Sequence, residues 1–367
     1  MLAIGYLLAR RFTSRPNGPT LHLGDDGGRR YVLVLVSFAG LFTLIHFAAD
    51  GIPILSSNVE TSKFEFGKSL FGIPGRIYLY GLPLATGGAL ARSRQLGLRW
   101  NKDRLTLIAI SIFTVSRLLS GFKGGLLEVL IVLLIAAVLA QGPVTSVAHV
   151  LRRYLPMVVA AVIAVFLVGS LYSSYRAHGR SLPDIILARA TTNGALAGVL
   201  VFEKRLLLDP HSTIDLDTKY FAKKYFFVGS GSPYAFGRLV ASTIFHVGPE
   251  SDASTAPVTY GAFPELAYDF GLPLALLGMF GLGSLLALLE IIARRATLSG
   301  YIVCLALALA AYDFVIKGGL VYLCINWTLV TGLLLVVTRV GVIVTTRHSS
   351  NGSRVQTAHP QYAVKPI

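Results

Sequence analysis

Two carboxylates, Glu265 and Asp269, stand four residues apart in the stretch T-A-P-V-T-Y-G-A-F-P-E-L-A-Y-D-F-G that runs from Thr255 to Gly271. A spacing of four puts both on one face of a helix, and Pro264 suits the first turn of such a helix, where the N–H it lacks has no intrahelical partner. The apolar run Leu274 to Ile292 follows directly. The acids therefore lie at the mouth of a membrane helix, where ionised groups are costly and tend to serve a function. Pro273 predicts a bend, because its ring opposes the carbonyl of Asp269, and the backbone groups so freed need partners within the protein. A carboxylate in this setting fits a general base that activates a hydroxyl. Glu265, nearer the outer edge, is the better placed for an arriving acceptor, while the deeper Asp269 suits a structural role. In the competing use, the two acids pair with cations and pin a cap to the bundle.

The cations for such a site are Arg117, Lys123, Arg176, Arg180 and Arg189. Arg117 and Lys123 flank the glycine-rich tip Ser120–Gly125 between two apolar runs. Arg176 and Arg180 share a face if the apolar run ending at Leu171 continues as a helix. Arg189 lies a turn into the next segment, which the capping box Ser181-Leu182-Pro183-Asp184 opens. Guanidinium forks bind phosphate oxygens in pairs, so this set fits an anionic, phosphate-bearing substrate. Snorkelling to headgroups, or pairing with Glu128, Asp184 or Glu203, is the competing use. Asp269, His246 and Glu250 are secondary acid–base candidates. His46, inside an apolar run, reads as a core histidine, and the spacing of Asp313 and Lys317 predicts an intrahelical ion pair. Asp215-Leu216-Asp217 matches a D-x-D metal pattern with no further ligand nearby, so no metal is expected. Motifs for a P-loop ATPase, a zinc protease or a serine hydrolase do not occur.

The elements that position these residues are membrane helices. Hydrophobic residues make up 54% of the 367 residues, charged ones 14%, and mean hydropathy is +0.65. That composition excludes an ordinary soluble domain. The net charge of +15 gathers in short loops, as the positive-inside rule predicts, and does not imply nucleic acid. Met1 to Ala9 is apolar but shorter than the roughly 20 residues a span needs. About eight full spans follow, at 31–49, 70–90, 105–119, 126–140, 155–171, 274–292, 299–316 and 318–337. The expected architecture is an all-α, polytopic transmembrane helix bundle forming a single integral membrane domain over 1–367. Residues 172–263 form a large helical extracytoplasmic loop or cap, and 342–367 a disordered cytoplasmic tail. The cluster Arg92, Arg94, Arg99, Lys102 and Arg104 marks the cytoplasmic side. Cys304 and Cys324 lie in apolar runs and predict no disulfide framework.

Thr255-Ala256-Pro257 leading to Gly261, Glu265, Tyr268 and Phe270-Gly271 resembles the "T-x-P … G-E-L-Y-x-N-F-G" stretch of bacterial O-antigen and exopolysaccharide repeat-unit polymerases, within the O-antigen ligase-like membrane superfamily. Gly51-Ile52-Pro53-Ile54-Leu55 and Ser116-Arg117 resemble two further landmarks in the same order, and together they cover about residues 50 to 340. Asp269 stands where the pattern has Asn, Phe263-Pro264 replaces a glycine, and Lys123-Gly124-Gly125 interrupts a compact S-R-G. The resemblance implies a metal-independent glycosyltransferase without cofactor, acting on undecaprenyl diphosphate-linked oligosaccharide at the outer face of the bacterial plasma membrane. Glu265 and Arg176 would then be catalytic, with Arg117, Lys123, Arg180 and Arg189 on the diphosphate. Its partners would be that lipid-linked oligosaccharide and membrane lipids, with a chain-length regulator as a further candidate. Ligation of finished polysaccharide, or transport of anionic lipid-linked sugars, are the alternatives.

Overall fold

Pro83 shapes the central helix of the bundle. In an α-helix its ring would meet the carbonyl of Leu79, and the backbone widens instead into a π-helical turn, Ile77–Gly81. The computed structural model describes residues 1–13, 25–56, 72–98, 101–121, 125–140, 194–204, 206, 212–226, 234–246, 248–249 and 259–355. Every regular element among them is helical. In chain order these are α1 (Leu2–Thr13), α2 (Asp25–Asp50) with a 3-10 turn at Pro53–Leu55, and α3 (73–95), which joins Ile73–Arg76, the π turn and Leu82–Gln95. The hairpin α4 (Arg104–Leu119) and α5 (Gly125–Ala140) follows. Three short helices come next, α6 (Gly194–Phe202), α7 (Thr213–Phe226) and α8 (Phe236–Phe245), and then three long ones, α9 (Ala262–Arg295), α10 (Leu298–Lys317) and α11 (Leu320–Val355).

Described helices stand at each expected span except 155–171, which lies outside the described residues. Four stretches, Gly28–Leu55, Ala262–Ala293, Leu298–Lys317 and Leu320–Val344, are long and apolar enough to cross a membrane. The protein is an all-helical membrane protein. Within 172–263 the described residues hold α6, α7 and α8. The last helix continues to Val355, into the 342–367 segment read from sequence as a disordered tail.

The core sits around α3, whose residues Leu82 to Ser93 are all buried. Gly87 and Gly88 let α10 approach it: a Cβ on Gly88 would lie 2.7 Å from Ile302 Cδ1, and one on Gly87 would strike Leu305. Small residues at helix contacts are the usual means of close packing where lipid supplies no hydrophobic drive. The apolar stub α1 lies along α9 in the same way, its backbone at Leu2 against Gly283 and its Gly5 against the Phe280 carbonyl. Tyr6 of α1 donates its hydroxyl to Glu290, a buried carboxylate inside the α9 span.

The bundle has two unlike ends. Arg29 of α2, Arg92 and Arg94 of α3, Lys102, Arg104 of α4 and Arg339 of α11 gather at one, where Arg92 pairs with Asp103 at 3.3 Å and Arg94 bonds the Ala137 carbonyl at 3.3 Å. Arg117 and Glu128, Asp313 and Lys317, the acids of α7, and Glu265 and Asp269 of α9 occupy the other. The antiparallel order of α2, α3 and α4, and of α9, α10 and α11, fixes this division.

Candidate functional site

The acid-bearing end is built outward from Gly261, whose φ of 82° and ψ of 161° suit glycine alone; it launches α9 with Pro264 in the first turn. The expected bend falls at Gly271 (φ 79°, ψ 168°), two residues before Pro273. Glycine takes this positive-φ backbone without the strain a side chain would bring, so the chain turns there and leaves a short acidic helix ahead of the apolar run.

Glu265 and Asp269 reach different partners from that short helix. Glu265 is only 3% exposed, and its two oxygens accept the N–H groups of Gly319 at 2.5 Å and Leu320 at 3.0 Å. These amides open α11, in a turn made by Gly318 (φ 74°) and Gly319 (φ 77°). Asp269 accepts the Thr213 N–H at 2.7 Å, the Thr213 hydroxyl at 2.5 Å and the Ile214 N–H at 3.3 Å, which caps α7. A third carboxylate, Asp217 of α7, accepts the Phe236 N–H at 2.7 Å and so caps α8. Each of three acids thus satisfies orphan amides at the start of a different helix, where a negative charge also meets the positive end of the helix dipole. The acids do tie the cap to the bundle, and among the described residues they do so through backbone amides and the Thr213 hydroxyl.

Burial pushes the Asp217 carboxyl up to about 6; the Phe236 N–H offsets part of that, and the nearby charge of Asp269 adds to it. The Tyr260 hydroxyl is pushed well above its usual range by burial and by the surrounding Glu265, Asp217 and Asp269. Its ring meets Phe236 edge-on at 5.2 Å, and its backbone N–H donates to the Lys317 carbonyl at 3.3 Å. Ala197, Val201, Phe236, Val240, Tyr260 and Tyr268 form a second apolar core that joins α6 and α8 to the head of α9.

Arg117 is 2% exposed and lies within the bundle. Its Nη2 contacts Glu128 Oε1 at 2.8 Å and the Leu79 carbonyl at 3.2 Å, and its guanidinium carbon lies 4.7 Å from the Tyr78 ring centroid and 5.3 Å from that of Phe113. The carbonyl opposed by Pro83 is thereby satisfied by an arginine, as a broken helix in a membrane requires. Of the two uses foreseen for Arg117, the pair with Glu128 is the one formed here. Lys123, Arg176, Arg180, Arg189 and Glu250 lie outside the described residues. His246 is exposed and ends α8 in a left-handed conformation. His46 is buried with Nδ1 2.8 Å from Asp50, beneath the Tyr78 ring. Asp313 and Lys317 form the expected pair at 2.6 Å, and Asp313 also accepts the Trp327 indole N–H at 3.3 Å. The D-x-D acids part company: Asp215 pairs with exposed Lys219 at 2.6 Å, while Asp217 turns inward.

Sequence reasoning weighed Asp217 only as half of a metal pattern and missed its capping role, and it missed Tyr260 and the contact of Arg76 Nε with Asn326 Oδ1 at 2.8 Å, which ties α3 to α11. Asn326, at 1% exposure inside an apolar span, was open to detection as a polar residue in a membrane helix. Compared with known proteins, the chain matches no family model, no curated protein and no solved structure.

Proposed function

We propose that this protein is a membrane glycosyltransferase that polymerises undecaprenyl diphosphate-linked oligosaccharide repeat units into a surface polysaccharide, by metal-independent inverting transfer at the outer face of the bacterial plasma membrane. One observation carries the reading: the segments that bear the resemblance, Gly51–Leu55, Ser116-Arg117 and Gly261–Gly271, are far apart in sequence yet end at the same, acid-bearing end of the bundle. The positive-inside rule places the opposite, arginine-rich end in the cytoplasm, so the acid-bearing end faces out.

In this proposal Arg176, Arg180, Arg189 and Lys123 hold the diphosphate of the donor. Arg117, fixed by Glu128, adds positive potential at the acid-bearing end. Glu265 receives the proton of the acceptor hydroxyl as that oxygen bonds to the anomeric carbon and the carbon–oxygen bond to the diphosphate breaks. Each Glu265 oxygen has spent one lone pair on a backbone N–H and retains another for the hydroxyl. Charge leaving with the diphosphate is met by these cations, and electrostatic stabilisation of that kind dominates many enzymes.

The test is reconstitution. Purified protein in vesicles, supplied with lipid-linked repeat units and no nucleotide, is expected to convert them into a ladder of longer chains on the same lipid. A single transfer to a different acceptor, or passage of unaltered substrate across the vesicle, refutes polymerisation. Glu265→Gln is expected to lower kcat by about 10²- to 10⁴-fold with donor binding retained, the range typical of a lost general base.

A further inference from the structure

The arginine-rich end holds a cavity of about 510 Å³ that the transfer reaction does not use, lined by the start of α2, the end of α3 and the start of α4. Four cations face it, Arg29, Arg92, Lys102 and Arg104, against a single acid, Asp103. That acid is fully committed. Its oxygens take Arg92 Nη1 at 3.3 Å, the Thr106 hydroxyl at 2.8 Å and the Leu105 N–H at 3.2 Å, with only 9% of the residue exposed. Arg92, itself 8% exposed, is held in place by this pair. Arg29, Lys102 and Arg104 are exposed and pair with no acid among the described residues.

The positive-inside rule accounts for cations at this end but not for their arrangement around a concave site with its one acid withdrawn. The depth of the cavity is informative. Arg29 is the second residue of the candidate span Gly28–Leu55, so the cavity lies at the rim of the apolar layer, and Leu96 and Leu98 line it beside the charges. A free anion has no use for those leucines, whereas a phospholipid presents a phosphate with its acyl chains directly below.

We propose that this cavity binds the phosphate of an anionic phospholipid from the leaflet at the arginine-rich end, with Arg29, Lys102 and Arg104 on the headgroup and the Arg92–Asp103 pair as its rigid floor. Basic residues near an anionic membrane surface each contribute about 1 kcal/mol, about fivefold in affinity, so losing three is expected to weaken binding on the order of a hundredfold.

The experiment uses the full chain, purified in detergent and titrated with phosphatidylglycerol, with phosphatidylcholine, or with inorganic phosphate alone. Bound lipid is counted by native mass spectrometry and thermal stability is followed in parallel. The expected result is tight uptake of phosphatidylglycerol, at least about tenfold preferred over phosphatidylcholine, as unpaired cations at a site predict. The preference should vanish in R29Q/K102Q/R104Q and persist in R339Q, which changes a different cavity. If the triple variant does not fold, R29Q and R104Q singly should each show the roughly fivefold loss. Equal binding of the two lipids, or an unchanged preference in the folded variants, overturns the proposal. Stabilisation by inorganic phosphate equal to that by the lipid overturns the lipid assignment in favour of a free-anion site.

Discussion

Replacing Glu265 with Ala removes both acceptors from the N–H groups of Gly319 and Leu320 and leaves α9 with no bond to the start of α11 through this side chain. An N–H deprived of its partner in a buried place costs about 1–3 kcal/mol, so two amides give roughly 2–6 kcal/mol. Water entering from the bundle end reduces this toward the lower figure. At 1.4 kcal/mol per factor of ten, even about 2 kcal/mol increases the open population of the first α11 turn more than tenfold. Glu265→Gln keeps one carbonyl oxygen as acceptor and is expected to lose about half as much free energy. Hydrogen exchange of a peptide covering 318–324, measured in detergent or nanodiscs, reads this directly. Exchange should accelerate more than tenfold in E265A and by an intermediate factor in E265Q, with the peptides of α3 unchanged. Unchanged exchange at 318–324 in E265A refutes the carboxylate-to-amide link.

Three further outcomes follow from the same geometry. Asp217 binds its proton more tightly folded (about 6) than at its ordinary 3.8, so the fold carries more bound protons through that window; stability then falls as pH rises from 3.8 to about 6 and levels above it. The linkage is worth on the order of 3 kcal/mol, and D217N, whose side-chain oxygen still accepts from Phe236, should flatten the curve of unfolding midpoint against pH. Gly318→Ala places a Cβ at a φ of 74°, into the Tyr260 ring and 2.9 Å from Glu265 Oε2. It should cost about 1–3 kcal/mol from backbone strain alone, visible as a lower melting temperature together with faster exchange at 318–324. Gly283→Leu drives a side chain into the Leu2 backbone, so α1 should detach and become protease-sensitive while the rest of the bundle keeps its melting behaviour.

The helices were legible because each apolar run had to bury its backbone hydrogen bonds internally, and basic loops separated one run from the next. Pro273 correctly signalled a bend, yet Gly271 took it, since the residue that absorbs a break is the one free to adopt positive φ. Pro83 acted through a wide π turn that left a carbonyl for Arg117, a consequence that depends on a distant helix and leaves no local pattern. The acids show the same limit. Glu265 and Asp269 were legible as important carboxylates at a helix mouth, but apart from the Thr213 hydroxyl their partners are backbone amides, which every residue except proline carries. Asp217 had left a trace. Thr213, Asp217 and Phe221 recur every four residues along the buried face of α7, which sets an acid in an apolar stripe and marks it as inward-facing.

The orientation of the bundle is tested most directly by labelling single cysteines in bacterial cells with a membrane-impermeant maleimide, in a background with Cys324 replaced by Ser and Cys304 left buried. Thr259→Cys, exposed beside the acid-bearing end, should label in intact cells, and Asn101→Cys, exposed at the arginine-rich end, only after the membrane is opened. The reverse pattern would put Glu265 on the cytoplasmic side and contradict transfer at the outer face.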